Sequence, residues 1–182
     1  MVRRVPRRWA RSLRAVAVAA LASLPGCYES EVPLDSTPRM EVDGAWLGTW
    51  RCLPFNADAD EQPATVRVDR GAERYYAVTW QESGKDPEHY EAFASSVRAT
   101  PFWNIREVKT TGEKGKWVFL RPSMLRPAVL QVQIVDQDAL KGVEPSSAAL
   151  RRALERKLTS PSLTVDFAVC VRAKEPEQAP AK

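Results

Sequence analysis

Histidine is almost missing from this chain, which holds a single one, His89, in 182 residues. Any Ser–His–acid triad would have to use it, and no Gly-x-Ser-x-Gly elbow occurs to present a serine. Flanked by Glu88 and Tyr90 in a polar stretch, His89 reads as a surface residue. Zinc needs three or four clustered Cys, His or acidic ligands; one histidine and three cysteines supply that poorly. Glycine is scarce too, with eight scattered residues, so there is no glycine-rich cradle for a phosphate. The segment Asn56-Ala57-Asp58-Ala59-Asp60-Glu61 has the acidity of a calcium loop. It lacks the glycine at the sixth place, and its twelfth place is Arg67 where a bidentate glutamate is needed. It reads as a solvated loop. Carboxylate pairs can be picked at will among 23 acids, so they carry no information about glycoside chemistry. Long apolar runs are missing as well: Ala15 to Leu24 is about ten residues, and a membrane-spanning helix needs roughly 20. The sequence therefore nominates no catalytic residue, no metal and no cofactor, and the expected reading is non-enzymatic.

Arginine is abundant at the N-terminus. Arg3, Arg4, Arg7, Arg8, Arg11 and Arg14 precede the apolar run with no acid among them. A buried helix would not carry six uncompensated arginines at its entrance. A basic region, a short apolar region and a small residue before the cut have the layout of a secretory signal. Leu24-Pro25-Gly26-Cys27 resembles the lipobox of bacterial lipoproteins. The resemblance implies cleavage of residues 1–26, with Cys27 as the first mature residue. It implies a thioether-linked diacylglycerol on that sulfur and an acylated amine. One acyl chain binds a membrane marginally, and two or more hold it firmly. Tyr28 follows, not the Asp that retains many enterobacterial lipoproteins at the inner membrane. The expected address is the bacterial envelope, with the outer membrane favoured and the membrane itself as a partner.

Cleavage would change the charge. The full chain has 27 basic and 23 acidic residues, net +4, and a pI near 9.1. Without the six N-terminal arginines, 21 basic residues face 23 acids, net −2. The basic pI then belongs to the leader, and a nucleic-acid partner is not expected.

Residues 27–43 hold prolines and acids without periodicity, which predicts a lipidated N-terminus and flexible tether. Residues 174–182 are rich in Pro, Glu and Lys and predict a disordered tail. Residues 44–173 suit one domain with a single core. Period-two alternation predicts strands at 45–52, 64–69, 73–82, 102–108, 117–121, 128–136 and 163–172. Residues 88–99 are ambiguous: Tyr90, Phe93, Ala94 and Val97 fit a helical stripe, and a strand fits too. Ser146 to Leu158 is the clearest helix, with Ser146 as cap and Leu150, Ala153, Leu154 and Leu158 on one face. Arg151, Arg152, Arg156 and Lys157 face the other way, toward either anionic surfaces or plain solvent.

Seven or eight antiparallel strands and one late helix predict a mainly β fold, a barrel of about eight strands with the helix plugging or flanking one end. A β-sandwich, or an α+β fold with one curved sheet, is the alternative. Gly48-Thr49-Trp50, with Trp46 before and Arg51 after, is similar to the Gly-x-Trp opening of lipocalin-like barrels. In that family the helix usually follows the last strand; here it precedes it.

Cys52 and Cys170 are left to pair in an oxidising compartment. Both fall near strand ends. In an antiparallel closing pair those ends point apart, so a bridge needs register stagger, a parallel pair or a loop attachment. Alternation also puts Cys170 on the polar face of its strand, while Leu163, Val165, Phe167, Val169 and Val171 point inward. The aromatics Trp50, Tyr76, Trp80, Trp103 and Trp117 are the candidate site, either lining a cavity for an apolar ligand or filling the core. The expected function is a lipid-anchored envelope lipoprotein that binds an apolar small ligand or a partner protein. An inhibitor or structural interaction module with a filled barrel is the alternative.

Overall fold

The computed structural model describes residues 27–57 and 61–174. The leader (1–26), most of the expected tail, and the centre of the calcium-like loop lie outside the described residues. The elements in order are β1 (Glu29–Ser30), a 3₁₀ turn (Gly44–Trp46), β2 (Gly48–Pro54), β3 (Ala64–Arg70), β4 (Tyr76–Gln81) and β5 (Glu88–Val97). Then come β6 (Thr100–Glu107), β7 (Trp117–Arg126), β8 (Val129–Val135), α1 (Ser147–Lys157) and β9 (Thr164–Arg172). Strands β2 to β9 pair each with the next, all antiparallel, and β9 closes on β2. The result is a mainly β, closed eight-strand barrel with one additional strand, consistent with a lipocalin-like fold. β1 pairs with β7 at Trp117–Val118, beyond the point where the β7–β8 pairing ends at Leu120–Ile134.

Two cores result, one on each side of the barrel wall. Inside lie Trp50, Cys52, Val66, Val68, Tyr76, Val78 and Trp103, with their neighbours. Outside, Phe93, Val97, Phe102, Trp117 and Phe119 form a second apolar layer with Leu150, Ala153 and Leu154 of α1. The helix therefore flanks a wall and does not plug an end. Ser146 caps it, its hydroxyl accepting from Ala149 N at 3.3 Å.

The two-sided burial explains the ambiguity at residues 88–99. β5 places Ala92 and Ala94 inward and Phe93 and Val97 outward, all buried. A strand covered on both faces loses its alternation, and the leftover spacing imitates a helix.

Residues 27–43 correct the tether expectation. Leu34 is fully buried in the outer core, and its N–H donates to Asn104 Oδ1 at 2.7 Å. Ser147 Oγ donates to Pro33 O at 2.6 Å. Asp43 N donates to the Tyr76 hydroxyl at 2.8 Å. Composition without periodicity suggested flexibility, but a few apolar anchors and side-chain hydrogen bonds fix the segment. It starts beside Asp136 through the Cys27–Asp136 backbone bridge and ends over the opposite mouth.

The first strand also starts later than its alternation predicts. Asp43 Oδ1 accepts from Ala45 N at 2.8 Å and caps the 3₁₀ turn, so the strand begins at Gly48. Gly48 has φ +119°, and a Cβ there would stand 2.8 Å from Arg172 Nη1. Arg172 uses that space to donate to Leu47 O and Ala45 O at 2.6 Å each, while its guanidinium lies 4.3 Å from the Trp50 ring centre.

The bridge Cys52–Cys170 is present, and stagger is what permits it. β9 slides along β2 so that Cys170 faces Cys52 directly and Arg172 faces Trp50. Cys170 points inward, against the alternation reading. Between Val132 and Gln133 of β8 the partner on β9 jumps from Ala168 to Asp166, so Phe167 is an extra residue. One extra residue exchanges inward and outward positions. Beyond it, Ala168 and Cys170 are buried, and Val171 is 51% exposed.

Candidate functional site

The five nominated aromatics do not share one cavity. Trp50, Tyr76 and Trp103 meet inside the barrel at the Trp46 end, with exposures of 1%, 1% and 7%. Tyr76 stacks on Trp103 at 4.7 Å, and Trp46 meets Trp103 edge-on at 5.8 Å. Trp50 Nε1 donates to Trp46 O at 3.0 Å. Trp103 thus contacts both Trp46 and Tyr76, the Trp50 ring lies against the Arg172 guanidinium, and Val42 and Trp46 pack on the same inner core. These rings fill this end of the barrel.

Trp80 lies at the opposite end, near Phe167 at 6.2 Å, its Nε1 donating to Glu82 Oε1 at 3.2 Å. The groove beside it, about 230 Å³, is lined by Pro54, Ala64, Glu82 and Ser83 among others. Ligand clefts are roughly 300–1,000 Å³, so this one is small. Trp117 faces outward and packs edge-on against Phe93 at 5.4 Å. It cannot line the lumen, because β7 presents Val118 and Leu120 inward opposite Ile105 and Trp103.

The mouth around Trp80 is acidic. Tyr90 donates to Glu88 Oε2 at 2.6 Å. Burial pushes this phenol far above its usual range, and Glu88, Glu107 and Glu82 add to the effect.

A larger concavity, about 530 Å³, lies on the outer wall. Tyr75, Ala77, His89, Glu91, Val108 and Lys114 are among its lining residues. Lys114 Nζ donates to Glu91 Oε2 at 2.8 Å, and Arg106 Nε donates to Glu91 Oε1 at 2.6 Å. Burial pushes the Glu91 carboxyl up, but the bonds from Lys114 and Arg106 outweigh it and hold it below the usual carboxylate range. The Arg106 guanidinium also sits 4.1 Å over the Trp117 ring. His89 is exposed, with Nδ1 at 3.4 Å from Thr79 Oγ1. Among the described residues, no group of three or more His, Cys, Asp or Glu is placed to hold a metal ion.

Cys27 is a free, half-buried thiol whose backbone pairs with Asp136. Burial raises its pKa, and the charges of Glu29 and Asp136 raise it further. On the helix, two of the four outward basic residues serve the fold. Arg151 pairs with Asp35 at 3.0 Å and donates to Ser96 O, and Lys157 donates to Ala139 O at 2.6 Å.

Sequence reasoning missed Asn104. It is fully buried, accepts from Leu34 N, and donates to Phe93 O at 3.2 Å and Ser95 Oγ at 2.9 Å. One polar side chain inside Phe102-Trp103-Asn104-Ile105 was the available signal. Compared with known family models, curated proteins and solved structures, the chain matches none.

Proposed function

We propose that this chain is a bacterial envelope lipoprotein, anchored through Cys27, whose filled barrel is a non-enzymatic scaffold for recognising a partner protein. The observation that carries the reading is the burial of Trp50, Tyr76 and Trp103 in one inner core, with Tyr76 stacked on Trp103. With the Trp46 end occupied, recognition falls to the outer wall, where the groove beside His89 and Glu91 offers about 530 Å³. The anchor rests on Leu24-Pro25-Gly26-Cys27 and on the arginine-rich leader before it. The reading with an apolar ligand inside the barrel is weaker, since the concavity at Trp80 is about 230 Å³.

The test is native mass spectrometry of the processed protein taken from its own envelope. The expected species is a chain that starts at an acylated Cys27 and carries no bound apolar molecule. A stoichiometric small lipid in the body would overturn the filled scaffold. An unmodified thiol with the leader attached would overturn the anchor. A Cys27→Ser protein that still partitions wholly with membranes would do the same.

A further inference from the structure

The anchor residue has no slack. Tyr28 N donates to Val135 O at 3.1 Å, the Tyr28 ring stacks on Phe119 at 6.0 Å, and Glu29 and Ser30 are paired to β7. Cys27 is therefore fixed at one end of the barrel, beside Asp136 at the end of β8. Asp136 N in turn donates to Leu163 O at 3.0 Å, at the start of β9.

That end carries exposed apolar side chains. Val165 follows Leu163 on β9 and is 42% exposed. Leu53 and Phe55, where β2 runs out, are 40% and 56% exposed. Phe55 N donates to Phe167 O at 2.9 Å, which sets Phe55 against the same stretch of β9. Cys27, Asp136, the start of β9 and the end of β2 lie on successive strands. Phe55 pairs with Phe167, four residues beyond Leu163, so three steps of about 4.8 Å across strands and roughly 13 Å along β9 put it about 20 Å from Cys27. The opposite end also exposes apolar residues, Leu125 at 55% and Val171 at 51%, but it lies a strand length away from Cys27.

Resting on the acyl anchor proposed above, we propose that the rim of Leu53, Phe55 and Val165 sits in the headgroup region of the bilayer that holds Cys27. An acyl group on a sulfur without a tether brings the membrane plane to the end that carries the sulfur. Apolar side chains there gain by entering the interface, and they add to the hold of the acyl chains. The body then stands on the membrane with its Trp46 end outward and the Glu91 groove on its flank.

The test uses the acylated protein reconstituted in vesicles of phosphatidylethanolamine and phosphatidylcholine with brominated acyl chains. Phe55→Trp and Leu125→Trp each add one reporter at opposite ends, read against the unsubstituted protein. The expected result is a blue shift and a loss of emission for Phe55→Trp on reconstitution, with neither for Leu125→Trp. Equal quenching of the two, or quenching of Leu125→Trp alone, overturns the orientation. So does an unquenched Phe55→Trp on a chain whose mass shows an acylated Cys27. An unmodified Cys27 in the same mass spectrum instead overturns the anchor reading itself.

Discussion

Removing the bridge between Cys52 and Cys170 should cost this fold a third or more of an ordinary domain's stability. The two residues are 118 apart in sequence, and the bridge joins the first and last strands of the barrel. In the chain-entropy picture, a loop of that length removes about 4.9 kcal/mol of freedom from the unfolded chain at 25 °C. Small domains hold about 5–15 kcal/mol in all. The β2–β9 ladder keeps its hydrogen bonds, so the native state loses little directly, and the effect sits in the unfolded ensemble. Two readouts follow from that. For Cys52→Ala with Cys170→Ala, in a Cys27→Ser background, the urea midpoint should fall by the equivalent of about 4–5 kcal/mol. The thermal midpoint should fall by about 15 °C, at roughly 3 °C per kcal/mol for this size. The urea m-value should also rise, because the unbridged unfolded chain exposes more surface. A loss under about 1 kcal/mol with an unchanged m-value would refute the claim that the bridge acts through the unfolded chain.

Asn104→Ala should destabilise by about 3 kcal/mol, because the buried Leu34 N–H loses its acceptor; the Leu34 amide should then exchange hydrogen faster, and an unaltered rate would contradict its role as fastener. In the β5–β6 turn, Arg98 and Ala99 stand at φ 47° and 66°, so Ala99→Gly should raise stability by roughly 0.5–1 kcal/mol in urea unfolding. At high pH, stability should be lost: the unfolded tyrosine ionises near pH 10, while burial and the neighbouring glutamates keep Tyr90 protonated in the fold. The stabilisation is then complete below about pH 10 and is lost as pH rises toward the folded value. Tyr90→Phe should flatten that decline, and a parallel decline in both proteins would reject Tyr90 as its source.

Much of the barrel was legible where a strand meets water on one side. Val66 and Val68 alternate with Thr65 and Arg67 in β3, and Leu130 alternates with Gln131 in β8. The helix was legible from Ser146 and its leucines. Residues 88–97 resisted because the outer core buries Phe93 and Val97 while the lumen buries Ala92 and Ala94. The candidate site was legible only as a set of aromatics. Nothing local separates Trp117, outside the wall, from Trp103, inside it; strand parity relative to the barrel decides, and that needs the register.

The sequence by itself determined the strand-forming pattern and the late capped helix, because each depends on neighbours within a few residues, and the count of three cysteines left Cys52 and Cys170 to bond once Cys27 was set aside for the lipobox resemblance. Tertiary structure alone decided that Cys170 faces Cys52, that one residue at Phe167 reverses the parity of β9, and that residues 27–43 lie fixed along the wall. Stagger, bulges and long-range hydrogen bonds such as Leu34 to Asn104 join residues far apart in the chain, and no local pattern encodes which distant strand will be the partner.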